Sequence, residues 1–275
     1  MLICQLTDLH VRPFGQASNR VSETNMLTAR AFRAVSELRP RPDVVLITGD
    51  LTECGLPAEY AMFRTLLEQH LDMPVYVVPG NHDRRENFRA ALGQLPGVTE
   101  DAEFVQYAFD AGPVRIVMLD TVVPGAGHGA LTENQLAWLD RTLAAEPRKP
   151  TLIGMHHPPF ACGILHMDKI ALRDPGGFRA VIERHPQVQQ IICGHHHRPI
   201  TARFGHAVAS IAPSVSHQVE LALKPDAPPA LNFEPPAFQL HLWTEVDGFV
   251  SHVAYVERYP GPFPFLTDPD YPGQA

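Results

Sequence analysis

Six apolar runs punctuate the first 200 positions of this chain, at residues 2–7, 44–48, 75–78, 114–119, 152–155 and 191–193. They are rich in β-branched residues, and each is cut off by polar or turn-forming residues, the pattern of short buried strands. Between them, apolar residues recur at helical spacing over 24–38, 57–70, 132–145 and 178–184. The third of these opens with Thr132 and Gln135 three residues apart, a capping box. Strands that alternate with helices predict βαβ units, a mostly parallel central sheet and an α/β fold. After residue 199 the helical spacing ends. Residues 200–204, 207–211, 238–245 and 249–256 read as antiparallel strands, the last two joined by Asp247-Gly248, a strong hairpin signal. These later strands predict a second sheet packed on the first, with helices outside. The Pro-rich stretches at 224–236 and from 260 onward read as a surface loop and a tail that reaches another subunit.

At 275 residues the chain has room for a sizeable core. Its 45% hydrophobic and 19% charged residues are those of an ordinary globular protein. A formal charge of −8 argues against nucleic acid or an anionic membrane as the main partner. A small anionic substrate stays open, because bound metal ions reverse the charge locally. Cys4, Cys54, Cys162 and Cys193 form no C-x-x-C pair. Cys4 and Cys193 fall inside apolar runs, as small buried hydrophobes do. The N-terminus lacks the charged and apolar regions of a secretion signal, and no run is long enough to span a bilayer. A cytoplasmic location is the expectation.

Five polar motifs lie where apolar runs stop: Asp8-Leu9-His10, Gly49-Asp50, Gly80-Asn81-His82-Asp83, Met155-His156-His157-Pro158 and Gly194-His195-His196-His197. Carboxylate and amide oxygens combined with imidazole nitrogens suit first-row divalent ions such as Mn, Fe, Co or Zn. Seven such donors (Asp8, His10, Asp50, Asn81, His156, His195 and His197) are too many for one tetrahedral ion. They fit two ions sharing a bridging carboxylate. In open α/β sheets, sites form beyond the carboxyl ends of the strands, so parallel strands would bring all five motifs to one sheet edge.

This ordered series resembles the calcineurin-like metallophosphoesterases, and within them the class III phosphodiesterases that act on cyclic nucleotides and glycerophosphodiesters. The resemblance implies a four-layer αββα sandwich of two mixed sheets flanked by helices. It implies a catalytic unit over residues 1–220, with 221–275 (the Pro-rich loop, hairpin and tail) completing the same domain. Asp8, His10, Asp50 and His197 would hold one divalent ion, and Asp50, Asn81, His156 and His195 the other, with Asp50 as the bridge. His82 would be the uncoordinated catalytic histidine, and His217 a residue near the substrate. Asp83 either orients His82 or buttresses its loop.

The reaction implied is hydrolysis of a small phosphodiester by a metal-bound hydroxide, in a homo-oligomer. Two divalent ions, two carboxylates and one hydroxide leave a single positive charge, which a diester monoanion neutralises. Broad-specificity phosphomonoesterases and DNA-repair nucleases of the same superfamily are the alternatives, the nuclease disfavoured by the acidic balance. Glu53 stands where purple acid phosphatases carry a tyrosine, and Asp83 where the protein phosphatases carry a glutamate. A scaffold without activity would have lost donors, and none is missing. The long connection at 159–175, with His166, Met167 and Asp168, is the expected specificity loop.

Overall fold

The computed structural model describes residues 1–264 and divides their strands between two facing sheets. The first half of the chain gives β1 (Leu2–Leu6), α1 (Thr24–Ser36), β2 (Val44–Thr48), α2 (Pro57–His70), β3 (Val75–Val78) and α3 (Arg85–Leu92). Next come β4 (Tyr107–Ala111), β5 (Val114–Leu119), α4 (Glu133–Ala144), β6 (Thr151–Met155), α5 (Leu165–Asp168), α6 (Gly176–Arg184) and β7 (Val188–Cys193). The remainder is β-structure: β8 (Ile200–Phe204), β9 (Ala207–Ile211), β10 (Gln218–Val219), β11 (Leu231–Asn232), β12 (Ala237–Thr244) and β13 (Gly248–Tyr255).

One sheet has the order β13-β12-β1-β2-β3 and the other β4-β5-β6-β7-β9-β8, while β10 and β11 pair by themselves. In the first sheet β1, β2 and β3 run parallel, and in the second β5, β6, β7 and β9 do. This revises the expected partition. The second sheet is founded on β4 to β7 from the middle of the chain, with β9 parallel to β7. The terminal hairpin instead adds to the first sheet, where β12 lies antiparallel to β1. The hairpin itself forms as predicted, with Thr244 opposite Gly248 and Gly248 in the left-handed region at φ 70°.

Side-chain alternation along the second sheet explains its layering. Val114, Ile116 and Met118 of β5, Leu152 of β6 and Ile192 of β7 join the core shared with the first sheet and with α1 to α3. Val117, Leu119, Ile153, Met155, Ile191 and Cys193 face the other way, into a second core beneath α4 and α6. A strand apolar on both faces must be covered on both. Helices therefore pack outside both sheets, completing the four layers. Cys4 and Cys193 are buried and unbridged. The capping box of α4 forms as read: Thr132 Oγ1 accepts from Gln135 N at 3.2 Å, and Gln135 Oε1 accepts from Thr132 N at 3.1 Å. Among the described residues no helix is long and apolar enough to cross a membrane. The expected arm from residue 260 onward lies largely outside the described residues.

Candidate metal centre

Because the two parallel sets point the same way, the carboxyl ends of β1, β2 and β3 meet those of β6 and β7. The five motifs therefore converge from two sheets across their interface, where a single sheet edge was expected. Three of them leave their strands through left-handed turns. Asp8, His10, Asp50, His195 and His197 all adopt positive φ, between 49° and 73°. For residues other than glycine that conformation costs about 1–2 kcal/mol each. It bends the chain two to four residues past the strand end and turns five donor side chains inward, and such strain collects at functional sites.

The donors form two clusters joined by Asp50. On one side, His10 Nε2 faces His197 Nε2 at 3.1 Å, His197 Nε2 lies 3.3 Å from Asp8 Oδ1, and His10 Nε2 lies 3.7 Å from Asp50 Oδ2. On the other, His156 Nε2 lies 3.3 Å from the same Asp50 Oδ2 and 3.1 Å from Asn81 Oδ1. The ring of His195 packs 5.0 Å from that of His156. All seven predicted donors are thus brought together.

The outer nitrogens are held in turn. His156 Nδ1 meets the Thr48 carbonyl at 2.8 Å, His197 Nδ1 the His217 carbonyl at 2.8 Å, and His195 Nε2 the Ile170 carbonyl at 3.0 Å. His10 Nδ1 meets Glu53 Oε2 at 2.8 Å. Such outer partners fix the ring orientation of a metal-binding histidine. Sequence reasoning used Glu53 only to exclude a relative. Its second role depends on a contact 43 positions away, which no local pattern announces.

Charge accounts for the titration of the cluster. Burial alone would raise the Asp50 carboxyl, but His156, His82 and His10 beside it hold it well below the usual range. Asp8 is likewise lowered, its burial outweighed mainly by His197. Burial would lower His156, yet Asp50 and Asp8 push it up to about 9. Two buried carboxylates embedded among imidazoles form a site whose oxygens stay ionised and available to cations.

His82 stands at the rim. Its backbone N–H donates to Asp50 Oδ1 at 2.9 Å, and its Nδ1 meets the Glu53 carbonyl at 2.7 Å. A carbonyl only accepts, so Nδ1 carries the proton of that bond and Nε2 is left to act. Asp83 does not touch His82. Its carboxylate accepts from Leu51 N, Gly80 N, Thr52 Oγ1 and Tyr60 Oη at 2.9–3.1 Å, so it buttresses the loop. His217 packs 5.3 Å from His10 and 4.9 Å from His197, ring to ring. His157 is fully buried against His156 and His195, with Nδ1 bound to Thr121 Oγ1 at 2.7 Å.

A pocket of about 630 Å³ opens over these residues. One wall comes from the 159–175 connection, through His166, Met167 and Ile170. The other comes from Val219, Pro229, Ala230 and Leu231. The Pro-rich stretch, read from the sequence as a surface loop, thus folds over the centre, held there by the β10–β11 pair. Among the described residues no Lys or Arg lines the pocket.

A family model of the calcineurin-like phosphoesterases matches residues 1–199. The chain belongs to that family, whose members are hydrolytic enzymes. Its similarity to curated relatives extends beyond the matched region. A probable glycerophosphodiester phosphodiesterase GpdQ from Arcobacter nitrofigilis is 34% identical over 269 residues, covering 98% of each chain. A probable cyclic nucleotide phosphodiesterase from Synechococcus is 34% identical over 249 residues, covering 89% of this chain and 93% of the relative. The fold is shared with a dimetal phosphatase from Danio rerio, with a TM-score of 0.67 at 16% identity over 94% of this chain and 99% of that one.

Proposed function

We propose that this chain hydrolyses small phosphodiesters, either 3′,5′-cyclic nucleotides or glycerophosphodiesters, with the help of two divalent cations. The observation that carries the reading is the position of Asp50 Oδ2, 3.7 Å from one imidazole of the first cluster and 3.3 Å from one of the second. A carboxylate placed between two groups of donors is what a bridged ion pair requires. The donor set suits such a pair: Asp8, His10, Asp50 and His197 would hold one ion, and Asp50, Asn81, His156 and His195 the other. Bound there, the cations would supply Lewis-acid polarisation of the phosphoryl oxygens and activation of a water.

The protein's own groups do the rest. Thr48, Glu53, Ile170 and His217 hold the donor imidazoles in place. His82, with Nδ1 fixed on a carbonyl, presents Nε2 to the substrate and delivers a proton to the departing alkoxide. Burial lowers the affinity of His82 for that proton, but the Asp50 carboxylate and the Glu53 carbonyl more than restore it, so its pKa lies above the ordinary value. A pocket whose described lining has no Lys or Arg offers a second phosphoryl charge no permanently cationic side chain, which favours a diester monoanion over a monoester dianion. The pocket walls favour small substrates over a nucleic-acid strand.

The test is turnover of bis(p-nitrophenyl) phosphate, cyclic AMP and glycerophosphoethanolamine by Mn²⁺-loaded protein, compared by kcat/KM with p-nitrophenyl phosphate. Diesters should be preferred and Asn81→Ala should lose bound metal and activity together. A preference for the monoester, or full metal content and activity in Asn81→Ala, overturns the reading.

A further inference from the structure

His196 separates two of the centre's donors in sequence but does not share their surroundings. Its ring is fully buried, and among the described residues neither ring nitrogen has a hydrogen-bond partner. Leaving a buried polar group unpaired costs about 1–3 kcal/mol, so an imidazole with two such nitrogens calls for an explanation. Two other donors approach it. The Cys162 thiol, an Asp168 carboxylate oxygen and a nitrogen of His196 all lie within 4.8 Å of one another. Asp168 already anchors the turn that carries the thiol, accepting from Cys162 N at 2.8 Å and Gly163 N at 3.0 Å. Each carboxylate oxygen keeps a lone pair beyond those bonds.

We infer that Cys162, Asp168 and His196 form a further cation site, separate from the paired centre, for a zinc-class divalent ion. Sulfur, imidazole and carboxylate together are a zinc ligand set, and three protein donors leave a fourth position for water. Binding expels the thiol proton to solvent as the sulfur–metal bond forms. The ion ties the 159–175 connection to the Gly194–His197 turn. That connection carries His166, Met167 and Ile170 into the pocket, and the Ile170 carbonyl orients His195. Occupancy of the site therefore fixes one pocket wall. The inference does not depend on the reaction proposed above.

Cobalt is the probe, because a thiolate bound to Co²⁺ gives a near-ultraviolet charge-transfer band and the seven donors of the paired centre include no sulfur. Titration of the metal-stripped full-length protein should produce that band, and Cys162→Ser should abolish it while reducing bound cobalt by one ion per chain. Asp168→Asn should weaken the band-forming step by at least about tenfold, as loss of a metal's carboxylate partner does. If Cys162→Ser does not fold, the wild type still decides the matter. Zn²⁺ should then protect Cys162 from alkylation, with exposed Cys54 as the internal reference. No band and no protection in the wild type, or a band that survives Cys162→Ser, overturns the site.

Discussion

Gly49→Ala offers the sharpest trial of the geometry. Gly49 has φ 96°, and a Cβ placed on it would lie 2.3 Å from His156 Nδ1, 2.6 Å from Cγ and 2.9 Å from Cβ of the same side chain. These are close approaches to the stem of a packed ring, so the ring must leave its position. Alanine in a left-handed conformation costs about 1–2 kcal/mol. Breaking the buried bond from His156 Nδ1 to the Thr48 carbonyl costs about 1–3 kcal/mol more. Together the loss is about 2–5 kcal/mol. Losing only an outer partner of a metal ligand weakens metal binding about 10–100-fold, and here the ligand itself is displaced. The control is Gly112→Ala, in the β4–β5 turn at φ 53°, where the nearest atom is Met1 Sδ at an ordinary 3.6 Å. It should lose about 1–2 kcal/mol and retain all its metal. Urea unfolding of the metal-free proteins and elemental analysis of the Mn²⁺-loaded ones would be read side by side. Equal metal content in the two variants would refute the placement of His156.

Other expectations concern single residues. Glu53→Gln should weaken the ion held by His10 about 10–100-fold, seen as a shifted Mn²⁺ dependence of turnover, and an unchanged dependence would argue against its role. His82→Ala should reduce kcat about 10²–10⁴-fold for esters with alkyl leaving groups, and far less for p-nitrophenyl esters, whose leaving group needs no proton. An equal loss on both would remove His82 as the acid. His241, with Nδ1 on Ser251 Oγ and Nε2 on Gln5 Oε1, is pushed by burial from its ordinary 6.5 down to about 3. The unfolded chain takes up that proton first as pH falls. The stability contribution is therefore present above about pH 6.5 and is lost toward pH 3, by up to about 1.4 kcal/mol per pH unit. His241→Gln should flatten the fall in unfolding free energy of the metal-free protein between pH 6.5 and 4, and an unchanged slope would refute this account.

Much of the local structure was legible because it is set by local chemistry. β2, β3, β5 and α2 occupy the stretches whose periodicity marks them, and the Thr132 cap begins α4. α3 and β4 escaped notice. α3 buries only Phe88 and Leu92, and β4 has the weak pattern Tyr-Ala-Phe-Asp-Ala, buried only at its two ends. Neither carries enough apolar signal to stand out. The allocation of strands to sheets was illegible for another reason: the pairing of β12 with β1 joins residues more than 200 positions apart, and hydropathy is indifferent to which partner a strand finds. The donors could be read because each sits one to four residues past a strand. Their supports could not, since Glu53, Ile170 and the 229–231 wall reach the centre only through tertiary contacts.

The left-handed turns at Asp8, His10, Asp50, His195 and His197 carry a consequence for directed evolution. Glycine would occupy each of those backbone positions more comfortably than the residue present. A library of this chain sorted only for thermal resistance, without a demand for turnover, would tend to discard the donors first. Robust survivors would keep the sandwich and lose the chemistry. Sorting in a chelating buffer should hasten that drift, and sorting with manganese present should oppose it, because bound ions reward the strained donors for staying.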